Sequence, residues 1–255
     1  MSAEPNVIFI IDGTFEGLMS ALFYGYAHKL HPQNIVDETY QTAIGDSPVI
    51  IETDLGNAER VVRGITDKLG FDFYKGIYTA CLSDSEDKYI HIYNYARLGF
   101  SDGRIAQNAI ATECGNAVMK MSAYVTNEAH FLCGFVRFSM LENGAFYSKI
   151  APKTDCLEIL LNHFCARMST ERFFIHDTNR AKAAAYLGNR GEAIIIPVEK
   201  LPPFVMSGDE KKYKTLWKQF YESVAIKERK NLKLQTNMMR KRFRPYMTEF
   251  EAGQD

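Results

Sequence analysis

Four polar residues have the type and surroundings for chemistry: Asp12, His130, Arg137 and Asp177. Asp12 follows the apolar run Val7 to Ile11 and precedes Gly13 and Thr14, so it stands where a strand turns into a helix. A carboxylate beside a helix N-terminus is a common functional placement. A turn residue hydrogen-bonding its own backbone is the plainer reading. Glu128-Ala129-His130 is followed closely by Arg137. Two residues apart on a helix, Glu128 and His130 stand about 200° apart and form no pre-built acid–base pair. Glu128 falls beside an apolar stripe, where a carboxylate needs a partner. Either it pairs with Arg137 in the core, or Arg137 and His130 build an anion site. Asp177 follows His176 after the strand-like Phe173-Phe174-Ile175, and strand neighbours point to opposite faces. If Asp12, His130, Arg137 and Asp177 converge, they line the cleft of an enzyme acting on a nucleotide or nucleobase, with a carboxylate or imidazole moving the proton.

Other chemistry finds no motif. There is no glycine-rich phosphate loop and no Gly-x-Ser-x-Gly elbow. The five cysteines are odd in number and lack Cys-x-x-Cys spacing, so no disulfide framework, zinc site or other metal is expected. No cofactor is implied. The apolar runs fall far short of the ~20 residues that a membrane span needs. The first residues lack a basic leader region. A cytoplasmic protein with no membrane partner is the expectation.

The net charge of −1 conceals an asymmetry. Lys211 to Arg244 holds 12 basic and 2 acidic residues, whereas the remainder holds 18 basic and 29 acidic. Lys227, Arg229, Lys230, Arg240, Lys241 and Arg242 are the candidate phosphate contacts. Trp217, Phe243 and Tyr246, interleaved with them, could stack on unpaired bases. The alternatives are an internal clamp, in which these cations pair with the acidic remainder, and a protein or membrane partner.

The positioning elements read as one α+β domain: a helical part over 54–132, a mostly antiparallel sheet over 134–197 and a basic helical tail over 208–247. Thr14 and Asp54 have the type and place of helix caps. Residues 31–48 read as a loop. Further helices are expected after Asp72, after Asp84 or Ser85, and after Asp102. The stripe Val118, Met121, Val125, Ala129 and Leu132 marks a long helix. From Gly134 the period becomes two, giving strands at 135–140, 145–150, 173–175, 183–187 and 193–196. A helix over 155–168 separates the second and third of these. Ser207 to Glu210 has capping-box spacing. The last helix is expected from Asn231 to Arg244, stopping at Pro245.

Taken together, Asp12-Gly13-Thr14-Phe15-Glu16-Gly17-Leu18, Glu128-Ala129-His130 with Gly134 to Phe138, Ile175-His176-Asp177 and Ile226 to Asn231 resemble a bacterial family called probable DNA metabolism proteins. That resemblance implies a DNA-related accessory role beside a radical SAM protein, with related domains fused to uracil-DNA glycosylase-like domains. It supplies no reaction, and any iron–sulfur chemistry would be the partner's. Phe131-Leu132-Cys133 and Leu232 depart from the family's pattern. Asp12-Gly13-Thr14 also resembles the haloacid-dehalogenase signature, but the nucleophile's position is Ile10, which cannot attack phosphorus.

Overall fold

The structure is a computed structural model describing residues 6–102, 111–198, 204–226 and 231–250. The chain divides into two compact units, Met1–Thr126 and Asn127–Asp255. No helix among the described residues is long and apolar enough to cross a membrane.

The first unit is built on three parallel strands in the order β2-β1-β3: β1 (Asn6–Ile11), β2 (Asn34–Asp37) and β3 (Asp46–Ile50). The helix α1 (Phe15–His28) carries the chain from β1 to β2. A crossover helix of this kind is what makes neighbouring strands parallel. Thr14 caps α1 by accepting from Gly17 N, and Asp54 caps α2 (Leu55–Leu69) by accepting from Asn57 N. With α3 (Phe71–Cys81) and α4 (Lys88–Ser101) these helices enclose Phe9, Ile11, Leu22, Ile35, Ile65 and Tyr93. β2 falls inside the stretch read as a loop, 31–48, and β3 begins within it at Asp46. Pro48 lies in β3, an edge strand, where a missing N–H is tolerated. The helix expected after Asp84 or Ser85 begins at Lys88 instead. The one expected after Asp102 falls on 103–110, outside the described residues.

Helix α5 (Glu113–Phe135) begins in the first unit and ends in the second. It keeps the expected stripe, with Val118, Met121, Val125, Ala129 and Leu132 all buried. It runs further than expected, overriding the strand read at 135–140. Phe131 and Phe135, one turn apart, stack in parallel, and Phe135 packs on Phe243, so the apolar spacing stays helical to Phe135. Only Ser139–Met140 remains as strand β4.

The second unit's sheet has the order β4-β5-β6-β7-β8, with β5 Phe146–Ile150, β6 Phe173–Asp177, β7 Lys182–Tyr186 and β8 Ala193–Pro197. It is mixed: β5 and β6 are parallel because α6 (Leu157–Arg167) crosses between them, and the other pairs are antiparallel. "Mostly antiparallel" thus holds for this sheet and fails for the first. Gly188 turns the last hairpin at φ +76°, and a Cβ there would stand 2.6 Å from the Thr170 carbonyl oxygen.

The C-terminal segment holds α7 (Glu210–Val224), α8 (Leu232–Met238) and 3-10 turns at Lys241–Tyr246 and Thr248–Phe250. The single helix expected over 231–244 breaks at Met239, and Pro245 lies inside the turn that follows. The break places Phe243 and Met247 in the interior, 3% and 0% exposed. The capping box does not form either. The Glu210 carboxylate accepts from Met140 N at 2.9 Å, acting as an extra rung beside β4, while Ser207 N donates to the Met140 carbonyl.

Candidate nucleic-acid interface

A cleft of about 750 Å³ opens in the second unit between α7 and the start of the sheet. Phe138, Met140 and Phe146 line one wall, and Tyr213, Trp217 and Phe220 the other. The α7 residues recur at helical spacing, as the sequence required, but half of this face is left uncovered. Tyr213 is 58% exposed, Trp217 38% and Phe220 56%. Lys214 lines the cleft too, and Lys211 and Lys218 lie on the same helix row, about one turn to either side.

Trp217 is held by its edge and one face. Its Nε1 donates to Glu249 Oε2 at 3.0 Å, and the Arg137 guanidinium stands over the ring, 5.3 Å from its centroid. Arg137 follows the C-terminal end of α5 and not a strand pattern. It donates twice to Glu249, from Nε at 3.2 Å and Nη2 at 2.7 Å. Its Nη1 donates to the carbonyls of Gly134 and Val136, which capping at a helix C-terminus favours. Burial alone would raise the Glu249 carboxyl, but the bonds from Arg137 and Trp217 and the Arg137 charge hold it below the usual carboxylate range.

The expected Glu128–Arg137 pair does not form. Glu128 pairs with Arg242 of the C-terminal turn and also accepts from Lys153 N, Thr154 N and Thr154 Oγ1. Burial again pushes this carboxyl up, and the three bonds with the Arg242 charge outweigh it, so its pKa is lowered. Neither partner could be named from the sequence, because Arg242 and Glu249 lie more than a hundred residues from the groups they bind.

The basic segment therefore divides. Arg242 is spent on Glu128, as the clamp reading expected for it. Phe243 is buried and Tyr246 half-buried beside Thr178, so Phe243 offers no face to a base. Lys241 is exposed and Arg240 half-buried. Lys227, Arg229 and Lys230 lie outside the described residues. Trp217, Phe220 and Tyr213 remain as exposed rings.

Of the proposed catalytic set, Asp12 belongs to the first unit and the other three to the second. Asp12 Oδ1 accepts from Thr14 N and Thr14 Oγ1, and Oδ2 accepts from Thr53 Oγ1. These bonds outweigh its partial burial and lower its pKa. Gly17 leaves room for this carboxylate: a Cβ there would stand 2.2 Å from Oδ1. His130 is exposed on α5. Asp177 is fully buried, accepting from Asn179 N and pairing with Arg180 Nη1 at 3.2 Å. Burial raises its pKa in spite of both. Its neighbour His176 meets Tyr147 Oη at 3.2 Å, and burial and Lys149 lower the imidazole's pKa. Among the three in the second unit, Arg137 alone lines the cleft. No group of three metal-ligating side chains is found among the described residues.

No curated protein and no solved structure matches the chain. The family model described as a domain of unknown function, DUF4130, matches residues 86–249, which include the whole cleft and the Glu128–Arg242 pair and leave out Asp12. The chain belongs to that family.

Proposed function

We propose that this DUF4130 member is a nucleic-acid-associated accessory protein in DNA repair or modification, working with a radical SAM partner. The observation that carries the nucleic-acid half is α7, on which lysines alternate with exposed aromatic rings along a cleft. Lys211 and Lys212 are exposed in its first turn, and Lys214 lines the cleft. Glu210, the carboxylate in the cleft lining, accepts from Met140 N, and Glu249, its side chain buried behind Trp217, is engaged by Arg137 and Trp217. A polyanion thus meets the exposed ammonium groups of Lys211 and Lys212 beside carboxylates that are largely buried. The segregated charge of the chain steers it towards the C-terminal segment. The partner half is supported by the sequence resemblance to probable DNA metabolism proteins.

Equilibrium binding of labelled DNA across a salt series tests the first half. Each phosphate neutralised adds about 0.9 to the logarithmic slope on duplex and about 0.7 on single strands. A flat salt response refutes the nucleic-acid role. Co-expression with the radical SAM protein encoded nearest to this chain should give co-elution on size exclusion. Separate elution at micromolar concentration removes the partner.

A further inference from the structure

We infer that the α7 cleft holds an unpaired nucleobase stacked on Trp217, which makes single-stranded or locally opened nucleic acid the ligand of this protein. The inference rests on the nucleic-acid reading above and specifies which form of nucleic acid is taken. It starts from how Trp217 is held. A tryptophan needed for packing alone would bury its ring in the core, and this one does not. Its edge is tied to a carboxylate whose side chain is 2% exposed, and its face is backed by an arginine engaged with that same carboxylate. Arg137 is in turn fixed to the end of α5 by two backbone carbonyls. Two polar side chains, Glu249 and Arg137, thus orient an indole that lines the cleft and remains 38% exposed.

Such a ring is a preorganised stacking platform. Little rotamer freedom is left for a ligand to remove. Phe220 lies 5.9 Å from Trp217, centroid to centroid, tilted by 37°, and extends the aromatic wall. The opposite wall is apolar, from Phe138 and Phe146. The cleft volume falls within the ~300–1,000 Å³ typical of small-molecule sites, ample for a base and its sugar. Lys214 is on the same lining, three residues and about one helical turn from Trp217. Stacking discriminates weakly among bases, since every base has a π-face, whereas a paired base in a duplex presents none. The charge of the wall favours a nucleic-acid strand over an acidic-aromatic peptide only through the regular spacing of phosphates along the lysine row. Peptide binding is accordingly one outcome of the test.

The chain's sole tryptophan is Trp217, so fluorescence excited to the red of tyrosine absorption reports on this cleft. The full-length protein is titrated with a short single-stranded DNA, with an abasic strand of equal length and charge, and with the corresponding duplex. The expected result is quenching of Trp217 by the first and little by the other two, with affinity for the abasic strand about 10-fold lower or more. Trp217→Leu should lower affinity for the normal strand to the abasic level and leave duplex binding unchanged, and Trp217→Phe should recover part of the loss. The comparison of strands uses unaltered protein and stands even if a variant fails to fold. Equal binding of normal and abasic strands without quenching overturns the base-stacking assignment while keeping the nucleic-acid role. Absence of binding to all three overturns both. Quenching by an acidic-aromatic peptide, with none by DNA, assigns the cleft to a protein and overturns the inference.

Discussion

The helix α7 and the C-terminal turn at Lys241–Tyr246 share a composition and have opposite fates. Both mix basic and aromatic residues at close spacing. In the turn, Arg242 enters an ion pair with a glutamate whose side chain is 1% exposed, and Phe243 is buried against Phe135. On α7, the lysines and rings border an open cleft. Composition sets the chemistry available to a segment. Only the surrounding surface decides whether that chemistry is used inside the molecule or offered to a partner. The clamp reading describes the turn at Arg242, and the contact reading is what is proposed for α7.

The comparison breaks most visibly at the clamp. Glu128→Leu strands the Arg242 charge and two backbone N–H groups, and it should cost about 3–5 kcal/mol in urea unfolding. Phe243→Ala should cost a similar ~3–5 kcal/mol through loss of a buried ring. Phe220→Ala on α7 should stay within about 0.5 kcal/mol, since its ring is largely exposed. Equal losses for the two phenylalanines would erase the distinction. Arg137→Leu comes next, at about 2–3 kcal/mol, because Glu249 keeps the Trp217 bond but loses its charge partner. Trp217 emission should change in the folded variant, and an unaltered spectrum would show that Arg137 does not orient the indole.

Acid should act on both pairs in one direction. Glu128 and Glu249 have folded pKa values below the 4.5 of a free glutamate. Their contribution is complete above that value and is lost as pH falls through the lowered folded values. Asp177, raised by burial, works the other way, and the protein gains from its protonation as pH falls. Thermal melts should begin to fall below about pH 6.5, where the unfolded chain protonates His176, which burial keeps neutral in the fold, and fall further below about pH 5 as the two glutamates protonate. The decline should be shallower in Glu128→Gln. An identical acid limb in that variant would place the sensitivity elsewhere.

Local signals in the sequence located the helices of the first unit and the later strands of the second. Thr14 and Asp54 cap where their types and positions say they should. The α5 stripe also held, because burial follows helical period directly. The parallel pairing of β5 and β6 is not in the sequence reading of a mostly antiparallel sheet: the helix between the two strands permits it, but the hairpins on either side point to antiparallel neighbours. The strand read after Gly134 failed because Phe131 and Phe135 satisfy a helix equally well. At the site, Trp217 and Arg137 were visible as residues and invisible as a unit. Glu249, which joins them, lies 112 residues from Arg137, and no period or spacing links positions that far apart. Glu210 misled for a related reason. Its local capping partner is outcompeted by Met140 N, a tertiary donor that a four-residue pattern does not contain.

The smallest expected effect on stability is also the sharpest separation of contact from clamp. Lys211 and Lys212 are exposed in the first turn of α7. Cations there oppose the helix dipole, which favours negative charge at an N-terminus. Replacing both by glutamate should leave stability unchanged or raise it by a few tenths of a kcal/mol, about 0.3–1 at low salt. If the two lysines clamp the acidic remainder, the same double variant must lose stability. If they contact phosphates, it should instead weaken nucleic-acid binding and lower the single-strand salt slope by up to about 1.4, at roughly 0.7 for each phosphate released. The loss should be the same on normal and abasic strands, because an ammonium group meets the backbone and not the base. Trp217 quenching at saturation should persist, since the indole is held by Glu249 and Arg137 and by neither lysine. A stability loss with an unchanged slope would move Lys211 and Lys212 from the contact to the clamp, and α7 would then resemble the C-terminal turn after all.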